Sequence, residues 1–151
     1  MLQRVYIDTS VIGGCLDKEF AEWSELLFED FRKGKRLAVV SDITIDELSD
    51  APLFVREILD SIPEKFMEVV LADTESRKLA DLYILEKAVT KKFYEDALHI
   101  SIATINQINV LSSWNFKHIV NLERIRQYNA VNLKNGYSLL EIRTPREIVT
   151  I

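Results

Sequence analysis

Four short segments carry residues able to do chemistry: Asp8 in YIDTSVI, Glu47 in ITIDEL, Asp96 in EDALHISIA and Asn115 in VLSSWNFKHI. Each also has an ordinary structural reading. Asp8 can cap the turn or helix opening at TSVI, Glu47 can lie on a solvated helix face, and Asp96 can simply complement a helix dipole. Asp42, Asp46 and Asp50 surround Glu47, so spacing leaves open which acid of that segment matters. Were three such carboxylates to meet in one crevice, they would repel one another unless protonated or neutralised, and the ordinary neutraliser is a hard divalent cation. Mg²⁺ or Mn²⁺ suits oxygen ligands, keeps positions open for phosphate, and activates water against a phosphodiester. Asn115 and Ser113 add neutral oxygens beside them.

Positioning these groups requires elements that end at one edge, and the chain alternates strand and helix signals. RVYIDT reads as a buried strand; from Phe20 the apolar positions Phe20, Trp23, Leu27 and Phe31 repeat at helical spacing until Gly34, a C-terminal stop. RLAVVSD predicts a strand, ITIDELS and LFVREILDSI helices, and FMEVVLA a further strand. Asp73 or Thr74 caps a helix through ESRKLADLYILEKAV, YEDALHISIATINQI is a second long helix, NVLSSW a strand, and YSLLEIRTP an edge strand. Near-continuous apolar strands separated by helices of crossover length predict an α/β fold, a mainly parallel sheet covered on both faces. Such sheets bind ligands beyond the carboxyl ends of their strands, where Asp8 ends the first one.

With 151 residues and 48% hydrophobic content, the chain is expected to form one domain over residues 1–151. Its apolar runs are too short to span a bilayer, and no signal-peptide pattern is present, so a cytoplasmic protein without membrane attachment is expected. One cysteine, Cys15, and two histidines exclude a zinc site of the Cys/His kind. A net charge of −5 argues against a broad positive field that coats nucleic acid, while FRKGKR, VTKK and LERIRQ are solvated faces or a local rim contacting a nucleic-acid backbone. Trp23 reads as core rather than a base-stacking platform, His99 as a packing or hydrogen-bonding group rather than a general base, and His118 as a solvated loop residue or a phosphate contact.

The segments YIDTSVI, ITIDEL, EDALHISIA and VLSSWNFKHI, in this order and at these separations, resemble the PIN-domain family of metal-dependent ribonucleases over most of residues 4–120. The resemblance implies a three-layer α/β/α domain with a central, mainly parallel sheet, and a metal site of Asp8, Glu47 and Asp96. Asn115 takes the fourth position, where many members carry Asp, so three carboxylates remain. Thr9, Ser10, Ser113 and His118 would hydrogen-bond the carboxylates or contact phosphate. The activity implied is Mg²⁺- or Mn²⁺-dependent hydrolysis of RNA. The small size is similar to the toxins of VapBC toxin–antitoxin pairs, which implies an antitoxin partner and a homodimer. A non-catalytic PIN-fold module binding RNA or protein is the alternative. A metal phosphatase of another α/β family is disfavoured, because YIDTS lacks the second Asp of a DxDxT motif. Residues 121–151 form a C-terminal extension outside the motifs.

Overall fold

The computed structural model describes residues 1–150. Its five strands are β1 (Gln3–Ile7), β2 (Arg36–Ser41), β3 (Met67–Val70), β4 (Val110–Ser112) and β5 (Glu141–Arg143). They form one all-parallel sheet in the order β3-β2-β1-β4-β5. The strands read as apolar runs because both faces are covered: Tyr6 and Val39 enter one core, while Val5, Ile7, Ala38 and Val40 enter the other.

The helices are α1 (Thr9–Gly14), α2 (Ala21–Arg32), α3 (Asp42–Ser49), α4 (Leu53–Asp60), α5 (Thr74–Leu85), α6 (Tyr94–Ile105), α7 (Leu122–Lys134) and α8 (Pro145–Val149). Side chains of α1 to α4 and α8 fill the core on one face of the sheet, and those of α5, α6 and α7 fill the other. Right-handed crossovers explain the division: steps from β1 towards β3 place helices on one face, and steps back to β4 and on to β5 place them on the opposite face. The reversal falls between β1 and β4, whose strand ends therefore flank a crevice.

Local chemistry sets the element ends. Gly34, with φ of +75°, closes the turn after α2, and a Cβ there would stand 2.5 Å from the Phe66 ring. The helix predicted through Val89 stops at Leu85, because Lys87 turns left-handed (φ +64°) and the Ala88 amide reaches back to the Tyr83 carbonyl. Beyond the motifs, residues 121–150 supply α7, β5 and α8, with β5 at the sheet edge as its sequence predicts.

Candidate active site

Asp8 leaves β1 with extended backbone and caps α1, so its structural reading and its placement at the crevice hold together. Oδ1 accepts from the Val11 amide at 3.2 Å and the Ser10 hydroxyl at 2.5 Å; Oδ2 accepts from the Ser113 hydroxyl at 2.5 Å. The carboxylate is buried, and burial raises its pKa while these hydrogen bonds oppose the rise. The two serines are themselves fixed by the loop after β4: the Trp114 amide donates to Ser10 Oγ and the Asn115 amide to Ser113 Oγ, both at 2.9 Å.

Glu47 is the acid of its segment that joins this group. One oxygen lies 2.6 Å from His99 Nε2 and the other accepts from the Thr9 hydroxyl at 3.4 Å. Asp42 instead accepts from the Ala72 amide at 2.9 Å, and Asp46 is exposed. His99, fully inside on α6, continues a polar chain. Its Nδ1 lies 2.6 Å from the Tyr6 hydroxyl, which lies 2.7 Å from Ser41 Oγ. Ser41 caps α3, the helix that carries Glu47. Burial works against a charge on His99, but the hydrogen bond and charge of Glu47, with the charges of Asp8 and Asp96, hold its pKa above the ordinary value. This chain satisfies the reading of His99 as a hydrogen-bonding residue. Its sequence signal is a tyrosine in a buried strand, whose hydroxyl needs a partner.

Asp96 stands in the first turn of α6, one turn before His99, and is half-buried. Burial first, and then the charges of Asp8, Glu47 and Glu95, raise its pKa to about 6 against the opposing charge of His99. The fourth position differs in orientation. Asn115 Oδ1 accepts from the amides of Lys117 and His118, so its carbonyl is engaged in holding its own loop. One expectation needs correction: His118 is not a solvated loop residue but buried, stacked on Phe93 with ring centroids 3.6 Å apart. Trp23 is half-buried and packs against the core on the α2 side, with the Arg146 guanidinium 5.1 Å from its ring centre.

Among the described residues, no group of three or more His, Cys, Asp or Glu side chains is arranged so as to hold a metal ion. Asp8 and Glu47 are engaged with protein donors. The donor set still fits a hard cation. All three acids offer oxygen, and Asp96 carries the repulsion of the other two.

No protein-family model matches the sequence, and no curated protein does. Solved structures do match. The VapC20 toxin of Mycobacterium tuberculosis, described as cleaving the sarcin–ricin loop, aligns at TM-score 0.57 and 10% identity over 76% of this chain and 92% of that one. A chain of VapBC2 from Rickettsia felis, bound to a promoter DNA fragment, aligns at 0.57 and 16% over 94% and 98%. A chain of DNA-bound VapBC from Salmonella typhimurium aligns at 0.56 and 16% over 96% and 99%. The chain has the PIN-domain fold of the VapC toxins. At these identities the likeness is one of architecture. Within the PIN fold, Asp8, Ser10 and Ser113 occupy the β1/β4 switch point, and Glu47 and Asp96 reach it from α3 and α6. No helix among the described residues is long and apolar enough to cross a membrane.

Proposed function

We propose that this chain is a divalent-metal-dependent endoribonuclease, the toxin of a toxin–antitoxin pair, acting in the cytoplasm as one domain and as a homodimer. The observation that carries the reading is the mutual charge of Asp8, Glu47 and Asp96 at the switch point. The similar solved structures support it, one being described as a sarcin–ricin-loop-cleaving toxin and two coming from VapBC complexes. Asp8, Glu47 and Asp96 would hold Mg²⁺ or Mn²⁺. The ion, when bound, supplies charge stabilisation and an activated water for attack on an RNA phosphodiester.

The chain's own contribution is orientation. Ser10 and Ser113 fix both oxygens of Asp8, and the buried Tyr6–His99 pair aims Glu47 from the opposite side. Asn115 sets the path of the loop over the crevice. Asp96, with the least protein bonding of the three, is the acid most open to an added cation. A second reading is a non-catalytic RNA- or protein-binding module. It is favoured by the fact that Asp8 and Glu47 are already satisfied by protein donors.

RNA cleavage followed on a gel with Mg²⁺, Mn²⁺ or EDTA, beside Asp8→Asn, decides between them. Metal-dependent cleavage by wild type that Asp8→Asn loses is expected; a folded wild type without cleavage in either metal supports the binding module.

A further inference from the structure

The loop after β4 carries aromatic rings that the proposed chemistry leaves without a task. Trp114 follows Ser113 directly, and its amide donates to Ser10 Oγ, whose hydroxyl donates to Asp8. Its indole is fixed as a plate. Nε1–H donates to Ser24 Oγ at 2.8 Å, and the Phe20 ring stacks on the indole with centroids 4.2 Å apart and planes 16° from parallel. Gly14 approaches so closely that a Cβ there would stand 2.8 Å from Nε1. Phe116, two residues on, is 51% exposed, and its ring centre lies 6.2 Å from those of both Trp114 and Phe20.

Together with Trp23 these rings wall a cleft of about 390 Å³, and α8 closes its far side. That helix lies outside the four motif segments. It is held in place by Ile148, whose side chain enters the core and whose carbonyl accepts from the Arg36 guanidinium at 3.1 Å. It brings Arg146 and Glu147 to the cleft, where Glu19 also stands. Arg146 lies over the Trp23 ring and, among the described residues, pairs with no carboxylate. Glu147 uses one oxygen on the Thr144 amide and keeps the other. Two carboxylates against one guanidinium repel a phosphate backbone. They suit a flat, neutral group that carries both acceptors and donors along its edges, with aromatic rings to stack on.

We propose that Phe20, Trp114, Phe116 and Arg146 form a pocket for one unpaired guanine of the RNA, the base adjoining the link held at the acids, so that this cleft decides where the chain cuts. This rests on the nuclease reading above. Guanine presents the acceptor pair O6 and N7, which matches a guanidinium, and on its other edge an N–H and an amino group, which match a carboxylate. Adenine sets an amino group where O6 would be and meets Arg146 donor to donor. Only Ser10 separates the Trp114 amide from the Asp8 carboxylate, so a link held at the acids brings its neighbouring base to this loop. Arg146 and Phe116 are exposed, so replacing them does not disturb the core.

The chain's two tryptophans, Trp23 and Trp114, both line the cleft, so their indole N–H signals in two-dimensional NMR report on it. The test titrates these signals in EDTA with the four nucleosides, which carry no phosphate. Guanosine is expected to move both signals and to bind about tenfold tighter than adenosine, cytidine or uridine. Arg146→Gln should erase that preference and Phe116→Ala should weaken guanosine about tenfold, while Leu139→Ala, exposed in the loop before β5, changes neither. No response to guanosine, equal affinity for all four, or a preference that survives Arg146→Gln overturns the proposal. So does N-acetyl-tryptophanamide binding as tightly as guanosine, which would assign the cleft to an aromatic anchor of a protein partner. A uridine oligomer with one guanine, incubated with Mn²⁺, is expected to be cut beside that guanine, and Arg146→Gln to scatter the cuts. Cuts that ignore guanine in a protein that binds guanosine assign the cleft to a free guanine nucleotide and overturn the proposal. Guanosine binding with all RNA left uncut refutes the nuclease reading and keeps the pocket; metal-dependent cleavage without a guanosine response does the reverse.

Discussion

His99 Nε2 and Glu47 Oε1 lie 2.6 Å apart, joining α6 to α3 across the mouth of the crevice. The pair has a pH signature. His99 has a folded-state pKa above its unfolded value, so its contribution to stability is complete below about pH 6.5 and is lost as pH rises through the higher folded value. Wild type is expected to melt at a lower temperature at pH 9 than at pH 6, and Glu47→Gln should remove most of that difference. Thermal unfolding across this range checks it.

Removing the hydroxyl behind the histidine tests the rest of the chain. Tyr6→Phe leaves Ser41 Oγ and His99 Nδ1 without their partner inside the core. The expected cost is about 1–3 kcal/mol in chemical denaturation, with metal-dependent cleavage reduced because Glu47 loses its fixed aim. A variant with wild-type stability and wild-type cleavage would show that the chain positions nothing.

Asp96 carries the opposite sign. Its folded pKa of about 6 lies above the ordinary carboxylate value, so ionisation costs stability as pH rises through the interval up to about 6. Asp96→Asn is expected to be more stable than wild type at pH 7.5, by on the order of 1 kcal/mol after solvent screening, and to show no gain below about pH 4. In calorimetry it should lose Mn²⁺ binding that wild type has. Unchanged Mn²⁺ binding would remove Asp96 from the metal site.

For Asn115, the loop geometry separates two effects. Aspartate can accept the same two amides, so Asn115→Asp should keep the fold, while Asn115→Ala loses both bonds and about 1 kcal/mol. The added charge should lower the Mn²⁺ concentration giving half-maximal cleavage. A metal titration identical to wild type would place this side chain beyond electrostatic reach of the ion.

Self-association is expected through α4, where Leu53 and Phe54 are 61% and 57% exposed. The apolar face of α5, with Leu79, Ala80 and Tyr83, is instead consumed by the core. Phe54→Asp should shift sedimentation of a wild-type dimer to the monomer. A wild type that is monomeric at micromolar concentration rejects the expectation.

Asp8 and Asp96 were legible because their positions follow from the chain itself, one at a strand end and the other in a helix's first turn. Glu47 was not separable from Asp42 or Asp46, since the answer depends on how α3 is rotated against the crevice, and that rotation is set by contacts with Tyr6 and His99 far along the chain. The burial of His118 likewise depends on Phe93, which no local pattern connects to it. α7 escaped notice because its buried stripe mixes Tyr128 and Val131 with Asn132. That asparagine is satisfied by Tyr83 and Thr104 of the preceding helices, a pairing invisible to a hydrophobic count.

The bond between Ser113 and Asp8 also sets an order in time. It spans 105 residues, and the β1–β4 pairing that supports it closes a loop of similar length. Such long closures carry the largest entropic cost and come late in folding. A ribosome that has made β1, β2 and β3 has produced most of one core with Asp8 and Glu47, yet Asp96 and His99 are still to come, Asp8 lacks Ser113 and the crevice has only one wall. The site is completed only when β4 and its loop emerge, so a truncated chain released earlier lacks a finished centre.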